Sequence, residues 1–339
     1  MNRTIHIRAL ISAIALSSSL ICSCARNTSS ISKRPITLRL SEVHSRGYPT
    51  ALADEEFARL VEEKTEGRVR IEVRTGGALA ENEIDSIAAL KLGDLAFSRV
   101  SAAPVAEYVP KINAIMLPYI YRSQEHMWNV LNGKIGQDIL SEIEQSPTGL
   151  IGLCYYDGGA RNFYMKGTVR SPKDLAGKRI RVQNGSMQSD MCKALGATPV
   201  TGIGMSHVRA AIEEGLIDGA ENNLPTYQSS GDYLSAPCYL LDSHTRIPEI
   251  LLASKKALTR VSPDDIAIIR KCAKETQQFE IQKWLEQERA SEQIVRNNGN
   301  EIIKPSPEVQ AEFQNAMTPL YQKYGSQYSD ILTAIKNTN

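Results

Sequence analysis

Ile36-Thr-Leu-Arg-Leu40, Val69-Arg-Ile-Glu-Val73 and Asp94-Leu-Ala-Phe-Ser-Arg-Val100 are three short strand-like runs, the first two alternating apolar and polar residues with period two. That period puts successive side chains on opposite faces of a strand. Between the runs, Thr50 to Thr65 carries Leu52, Phe57, Leu60 and Val61 at helical spacing and stops at Gly67, and Glu81 to Leu92 reads as a second helix. The order β-α-β-α-β opens a doubly wound parallel sheet. Working outward, further strands are predicted at Leu150 to Tyr156, Asn162 to Met165, Arg179 to Val182, Ala220 to Asn222 and Tyr239 to Leu241. Helices are predicted at Ser123 to Leu131, Lys134 to Gln145, Gln188 to Leu195 and Ser206 to Glu214. After Ser262 the pattern is helix alone, starting at Pro263-Asp-Asp and staying periodic to about Arg296, with one more helix over Pro305 to Tyr324. Alternation of this length predicts two α/β lobes with a cleft between them, where such architectures hold ligands.

Composition narrows the function classes. The 339 residues carry 39 Lys+Arg against 38 Asp+Glu, a net charge of +1, which argues against a general nucleic-acid binder. With 42% hydrophobic and 23% charged residues, the bulk of the chain is globular and long enough for two domains. The 22 Gly and 15 Pro follow no period, so fibrous and repeat architectures drop out.

The N-terminus predicts export. Asn2 to Arg8 is a short basic stretch and Ala9 to Ile21 is apolar or small, about a dozen residues against the roughly 20 that a spanning helix needs. No later segment approaches that length, which argues against a polytopic membrane protein. Ile21-Cys22-Ser23-Cys24 resembles a bacterial lipoprotein processing site with Cys24 as the lipid acceptor, and plain secretion with cleavage nearby is the other reading. Residues 1–23 would be the signal peptide and 24–35 a Ser- and Asn-rich tether. Removing 1–23 takes away two Arg and no acids, leaving 37 cations against 38 acids and a charge of −1.

Familiar catalytic signatures are missing. Cys154, Cys192, Cys238 and Cys272 lie tens of residues apart with no C-x-x-C and no His at ligand spacing, so no metal site and no cysteine nucleophile is expected. Gly76-Gly77, Gly158-Gly159 and Gly202-Ile-Gly204 lack the G-x-G-x-x-G and Walker spacings, so no nucleotide cofactor is expected either. G-x-S-x-G, H-E-x-x-H and S-x-x-K are likewise absent. The chain offers instead arginines at strand ends: Arg99 in Phe97-Ser-Arg-Val-Ser101, Arg161 in Asp157-Gly-Gly-Ala-Arg-Asn162, and Arg181 in Gly177-Lys-Arg-Ile-Arg-Val-Gln183. An arginine presents a planar donor fork that grips a carboxylate through two parallel bonds. From spacing alone, a solvent-facing arginine on an edge strand fits Arg181 equally well.

Taken together, several segments resemble the DctP family of extracytoplasmic solute receptors, which serve TRAP transporters. Leu175-Ala-Gly-Lys-Arg-Ile-Arg-Val-Gln183 is similar to that family's strand bearing its carboxylate-binding arginine, Gly215-Leu-Ile-Asp-Gly-Ala-Glu-Asn222 to its G-x-I/V-D-G-x-E-N segment, and Leu117-Pro118-Tyr119 to its L-P-Y/F turn. The resemblance runs from about Ile36 to Tyr324. It implies a two-lobe periplasmic-binding-protein fold, with lobe I over 36–157, lobe II over 158–246, and crossover strands and bracing C-terminal helices over 247–339. It also implies Arg181 as the carboxylate anchor, Arg161 as a second cleft arginine and Asn222 as a polar contact on the opposite strand.

A sugar-acid branch is nearer still, through Ser41-Glu-Val-His-Ser-Arg-Gly-Tyr-Pro-Thr50, Arg99-Val-Ser101, Tyr156-Asp-Gly-Gly-Ala-Arg161 and Glu221-Asn-Asn-Leu-Pro-Thr-Tyr227. A hexuronate offers one carboxylate and several hydroxyls, so its site needs an Arg clamp, polar partners and an aromatic face. His44, Arg99, Asn184, Asn222 and Asn223 are the candidates for the polar set, and Tyr156 or Tyr227 for the aromatic face. His44 reads equally as a loop residue, Asn223 as a turn former and Tyr227 as a core aromatic. Glu81 and Glu83 carry less weight. His207, Arg209 and Ser243-His244-Thr245 depart from the family pattern, and the added positive charge of His207 and Arg209 would favour a second acidic group on the ligand.

The leading expectation is a non-enzymatic, monomeric receptor without cofactor that hands a sugar acid to TRAP permease subunits and touches the membrane by a lipid anchor alone. A C4-dicarboxylate or other organic-acid receptor of the same family is the alternative, followed by a sensory co-receptor. An exported sugar-acid enzyme would need a carboxylate pair, for which Asp157 and Glu221 are the local acids.

Overall fold

The computed structural model describes residues 34–339, so the expected leader, its acceptor Cys24 and nearly all of the tether lie outside the described residues. From there the chain runs as the opening alternation demands: β1 (Ile36–Ser41), α1 (Pro49–Lys64), β2 (Val69–Arg74), α2 (Glu83–Leu92) and β3 (Phe97–Ser101). β1 pairs in parallel with both β2 and β3. In α1, Ala53, Phe57, Leu60 and Val61 form the buried stripe. Asn82 caps α2 by accepting from the Asp85 N–H at 3.0 Å, and Gly93 closes it at φ +82°, in the left-handed region that glycine enters without steric cost.

The later strands are β4 (Leu150–Tyr156), β5 (Ala160–Met165), β6 (Arg179–Arg181), β7 (Thr198–Val200), β8 (Gly219–Asn222), β9 (Cys238–Arg246), β10 (Glu249–Ser254) and β11 (Glu301–Ile303). They complete two sheets, one ordered β2-β1-β3-β10-β4 and the other β11-β9-β5-β8-β6-β7. Each sheet is the centre of a lobe. Sequence periodicity missed β10 because all six of its residues are buried, which leaves no polar alternation to detect. β7 and β11 are three residues each, too short to carry a period. The helix expected over Pro305 to Tyr324 is broken: Pro307–Ala316 ends before Thr318-Pro319, and a π turn follows at Tyr321–Gly325. Pro319 has no backbone N–H to carry the ladder onward.

The chain crosses between sheets at Asp157 to Gly159 and again at Ile247-Pro248. The crossings lie against each other: a Cβ on Gly158 would stand 2.3 Å from the Ile247 carbonyl oxygen, and one on Gly159, at φ +61°, 2.8 Å from the Trp284 ring. Glycine is therefore required at both positions. Trp284 belongs to the long helix Pro263–Asn297, whose Ser262 cap accepts from the Asp265 N–H at 3.1 Å. This helix packs on α1 and β4 of the first lobe and on the helix Leu224–Ser229 of the second. It thus braces both lobes beside the crossings. No helix among the described residues is long and apolar enough to cross a membrane. Cys154, Cys192, Cys238 and Cys272 are all buried free thiols.

Candidate ligand-binding cleft

A cleft of about 620 Å³ opens between the lobes. Its walls come from the carboxyl ends of parallel strands, the position that doubly wound sheets offer to ligands. His44 follows β1, Arg99 lies in β3, Asn184 follows β6 and Asn222 ends β8. Arg161, Arg181, Asn223, Glu83 and Glu249 are among the further polar lining residues.

Although the three buried arginines are the same residue type, their partners separate them. Arg99 is 1% exposed, and its Nη1 donates to both Glu83 Oε1 and Glu249 Oε2 at 2.6 Å while Nε and Nη2 donate to Glu42. Arg161 is clamped by Glu221, with Nε to Oε2 at 2.5 Å and Nη2 to Oε1 at 2.9 Å, and its Nη1 donates to Asn222 Oδ1 at 3.0 Å. Arg181 is 9% exposed, donates from Nε to the Ile203 carbonyl at 3.0 Å, and has no carboxylate partner among the described residues. Burial lowers its pKa from the ordinary arginine value, because a desolvated charge with no counter-ion is costly. Of the three, Arg181 alone keeps a donor fork for a ligand.

Around that fork the other groups hold defined roles. Asn222 Oδ1 accepts from Arg161 and from the Asn223 N–H at 2.9 Å, which orients its amide group as a donor. Asn223 Oδ1 caps the helix Leu224–Ser229 by accepting from the Thr226 N–H at 2.8 Å, so it is a turn former that also faces the cleft. Asn184 Oδ1 accepts from the Gly202 N–H at 3.2 Å. His44 Nδ1 lies between Arg99 Nη2 at 2.6 Å, which only donates, and Glu42 Oε1 at 2.9 Å, which only accepts, so its tautomer selects the partner. Burial, then the Arg99 charge, lowers the His44 pKa and keeps the imidazole neutral. Burial alone would raise the Glu221 carboxyl, but Arg161 and His244 together outweigh it and hold it well below the usual range. Burial pushes the Glu249 carboxyl up to about 7, with Arg99 opposing and Glu83 adding to the rise.

The expected aromatic face is corrected. Tyr156 is fully buried among Leu38, Phe57 and Leu251, and Tyr227 is fully buried with its hydroxyl donating to the Ala236 carbonyl at 2.6 Å. Neither lines the cleft, since the alternation of β4 points Tyr156 into the core and Tyr227 packs against Tyr164 and Tyr239. The aromatic residue that does line it is Tyr48, stacked on His44 at 4.0 Å between ring centroids and bonded across the lobes to Thr226 Oγ1 at 2.8 Å. Its place in the Ser41 to Thr50 segment was the available signal.

The expected extra positive charge is also corrected. Arg209 is exposed and pairs with Glu213 at 2.8 Å, and His207 is exposed, neither lining the cleft. His244 is buried between Asp242 Oδ2 at 2.9 Å and Glu221 Oε2 at 3.4 Å. Burial would lower its pKa, but the two carboxylates push it up to about 9 and compensate its charge. Asp157 is equally committed, accepting from Gln124, Trp128 and the Gly159 N–H.

Comparison with known proteins agrees with this geometry. The family model for bacterial extracellular solute-binding proteins, family 7 (DctP), matches residues 40–327. A solute-binding protein of Chromohalobacter salexigens is 32% identical over 292 residues, 85% of this chain and 84% of the relative. A TRAP periplasmic solute-binding protein of Pseudomonas putida F1, solved with bound D-glucuronate, is 32% identical with a TM-score of 0.86, covering 89% of this chain and 97% of the other. One from a Bradyrhizobium species, solved with α/β-D-galacturonate, is 37% identical with a TM-score of 0.85, covering 89% of this chain and all of the other. With a match over this length, a two-sheet fold and a cleft built on strand ends, the chain belongs to the DctP family of bacterial extracellular solute-binding proteins.

Proposed function

We propose that this chain is the extracytoplasmic receptor of a TRAP transporter and that it takes a hexuronate such as glucuronate or galacturonate. The observation that carries the reading is Arg181, the buried cleft arginine without a carboxylate partner among the described residues. A uronate carboxylate fits that fork, and the Asn222 amide and the His44 ring offer hydrogen-bond partners to its hydroxyls. Structural relatives solved with glucuronate and galacturonate, each at least 30% identical, support the same ligand class. A ligand touching both walls gives the closed state contacts that the open state lacks and so shifts the population toward closure. No bond of the ligand is broken, and the membrane permease subunits receive it.

A thermal-shift screen of glucuronate, galacturonate, galactonate and succinate tests the reading, because a ligand that binds only the folded state raises stability by RT ln(1 + [L]/Kd). The uronates are expected to raise the melting temperature most and to be recovered chemically unchanged. A larger shift with succinate would favour the dicarboxylate alternative. The receptor is further proposed to sit outside the cytoplasm on a lipid anchor at Cys24, since stable anchoring takes two acyl chains and a processed lipoprotein cysteine supplies them. Mass spectrometry is expected to find a diacylated Cys24 as the first residue, and an unmodified terminus there or beyond would refute the anchor.

A further inference from the structure

The charge pattern of the cleft is lopsided. On the second lobe, Arg161 is paired with Glu221, while Arg181 has no carboxylate partner at hydrogen-bond distance among the described residues. On the first lobe one cation, Arg99, faces three carboxyl groups: Glu42 behind it, and Glu83 and Glu249 at the cleft surface. His44 adds no charge to this wall, being neutral. Arg46 lines the rim, but its side chain is 81% exposed and paired with Glu55, so water screens it. Glu81 also lines the rim, exposed and screened in the same way. A ligand spanning the cleft therefore meets an uncompensated positive charge at one end and an excess of negative charge at the other.

We infer that Glu83 and Glu249 are specificity determinants that reject a second carboxylate on the ligand, so that the cleft takes sugar acids with a single acidic group. The inference rests on the sugar-acid reading and narrows it. A hydroxyl at the far end of the ligand donates to Glu83 or Glu249, whereas a carboxylate there has only acceptors and meets like charge in a site shielded from water. Like charges juxtaposed in a binding site are a recurrent means of excluding the wrong partner. The geometry keeps the two carboxyls in place: Glu83 Oε1 also accepts from the Ser101 N–H at 3.1 Å, and both hold the same Arg99 Nη1. Neither side chain is free to swing out and make room.

The test compares ligands that differ in one end. Galactonate and galactarate share their chain and differ in that galactarate carries a carboxylate where galactonate carries a hydroxymethyl group, and galacturonate is the cyclic monoacid. Titration calorimetry at about pH 8, where ordinary carboxyls are ionised, is expected to find galactarate at least about 100-fold weaker than the tighter of the two monoacids. In the Glu83→Gln/Glu249→Gln double variant, that gap is expected to shrink at least about tenfold, with circular dichroism confirming the fold. Each single variant leaves Arg99 two carboxylates and serves if the double variant melts early. Galactarate binding within about tenfold of the monoacid in the parent, or a gap unchanged in the variants, overturns this inference and leaves the sugar-acid reading standing. Silence toward every sugar acid overturns both.

Discussion

Replacing Arg181 by Ala is expected to abolish measurable hexuronate binding while leaving the ligand-free fold intact. A carboxylate entering the closed cleft loses its water and must regain that cost from charge-assisted hydrogen bonds, each worth about 1.5–3 kcal/mol net. Arg99 and Arg161 have already spent their forks on Glu42, Glu83, Glu249 and Glu221. Arg181 has used one donor, on a backbone carbonyl. Loss of two such bonds corresponds to more than about 100-fold in affinity. Arg181→Lys keeps the charge but cannot make two parallel bonds, and is expected to lose at least about tenfold. Asn222→Ala removes neutral donors and is expected to cost less than either. The ligand-free Arg181→Ala protein is expected to melt no lower than the parent, because it deletes a buried charge that no carboxylate pairs directly among the described residues. Calorimetry with circular dichroism decides the matter, and an Arg181→Lys protein that binds like the parent would place the carboxylate elsewhere.

Arg99→Leu is expected to act through stability instead. It would strand Glu42, Glu83 and Glu249 around an apolar side chain, and breaking a buried pair by removing one partner costs about 3–5 kcal/mol. The pH dependence supplies a signature. In the parent, burial would raise the Glu42 carboxyl but Arg99 and His44 hold it below the usual range, so its contribution is present above the unfolded pKa and fades on acidification. Without Arg99 burial raises the Glu42 and Glu249 carboxyls unopposed by its charge, the unfolded state releases protons first, and stability falls as pH climbs above the ordinary carboxylate range. Urea denaturation of the variant is thus expected to recover part of the loss between about pH 8 and about pH 5.5. A variant as stable as the parent, or one that loses further stability over that interval, would mean that Arg99 does not hold this cluster together.

The sequence by itself determined the order of the opening elements, from β1 to β3. Period two in Ile36 to Leu40 and Val69 to Val73, with helical spacing between them, was sufficient for the parallel opening of the first sheet, because one face of each of these strands carries polar residues. The bounds of Leu150–Tyr156 and Lys134–Gln145 were legible from other local signals, an apolar run for the strand and the four-residue spacing of Ile135, Ile139 and Ile143 for the helix. The segment around Arg181 was legible as a carboxylate anchor through its resemblance to a family, which local periodicity could not supply.

Tertiary structure decided what each polar residue is for. Arg99, Arg161 and Arg181 look alike in sequence, and only the long-range pairing of Glu42, Glu83 and Glu249 with the first and Glu221 with the second separates two structural cations from a ligand-binding one. Glu249 was invisible because it starts a strand buried throughout, where no alternation marks it. Tyr48, rather than Tyr156 or Tyr227, faces the cleft because the turn after β1 directs it across to Thr226, 178 positions away in the chain. Partners so distant in sequence leave no local pattern, since burial and charge compensation are set by what the fold brings together.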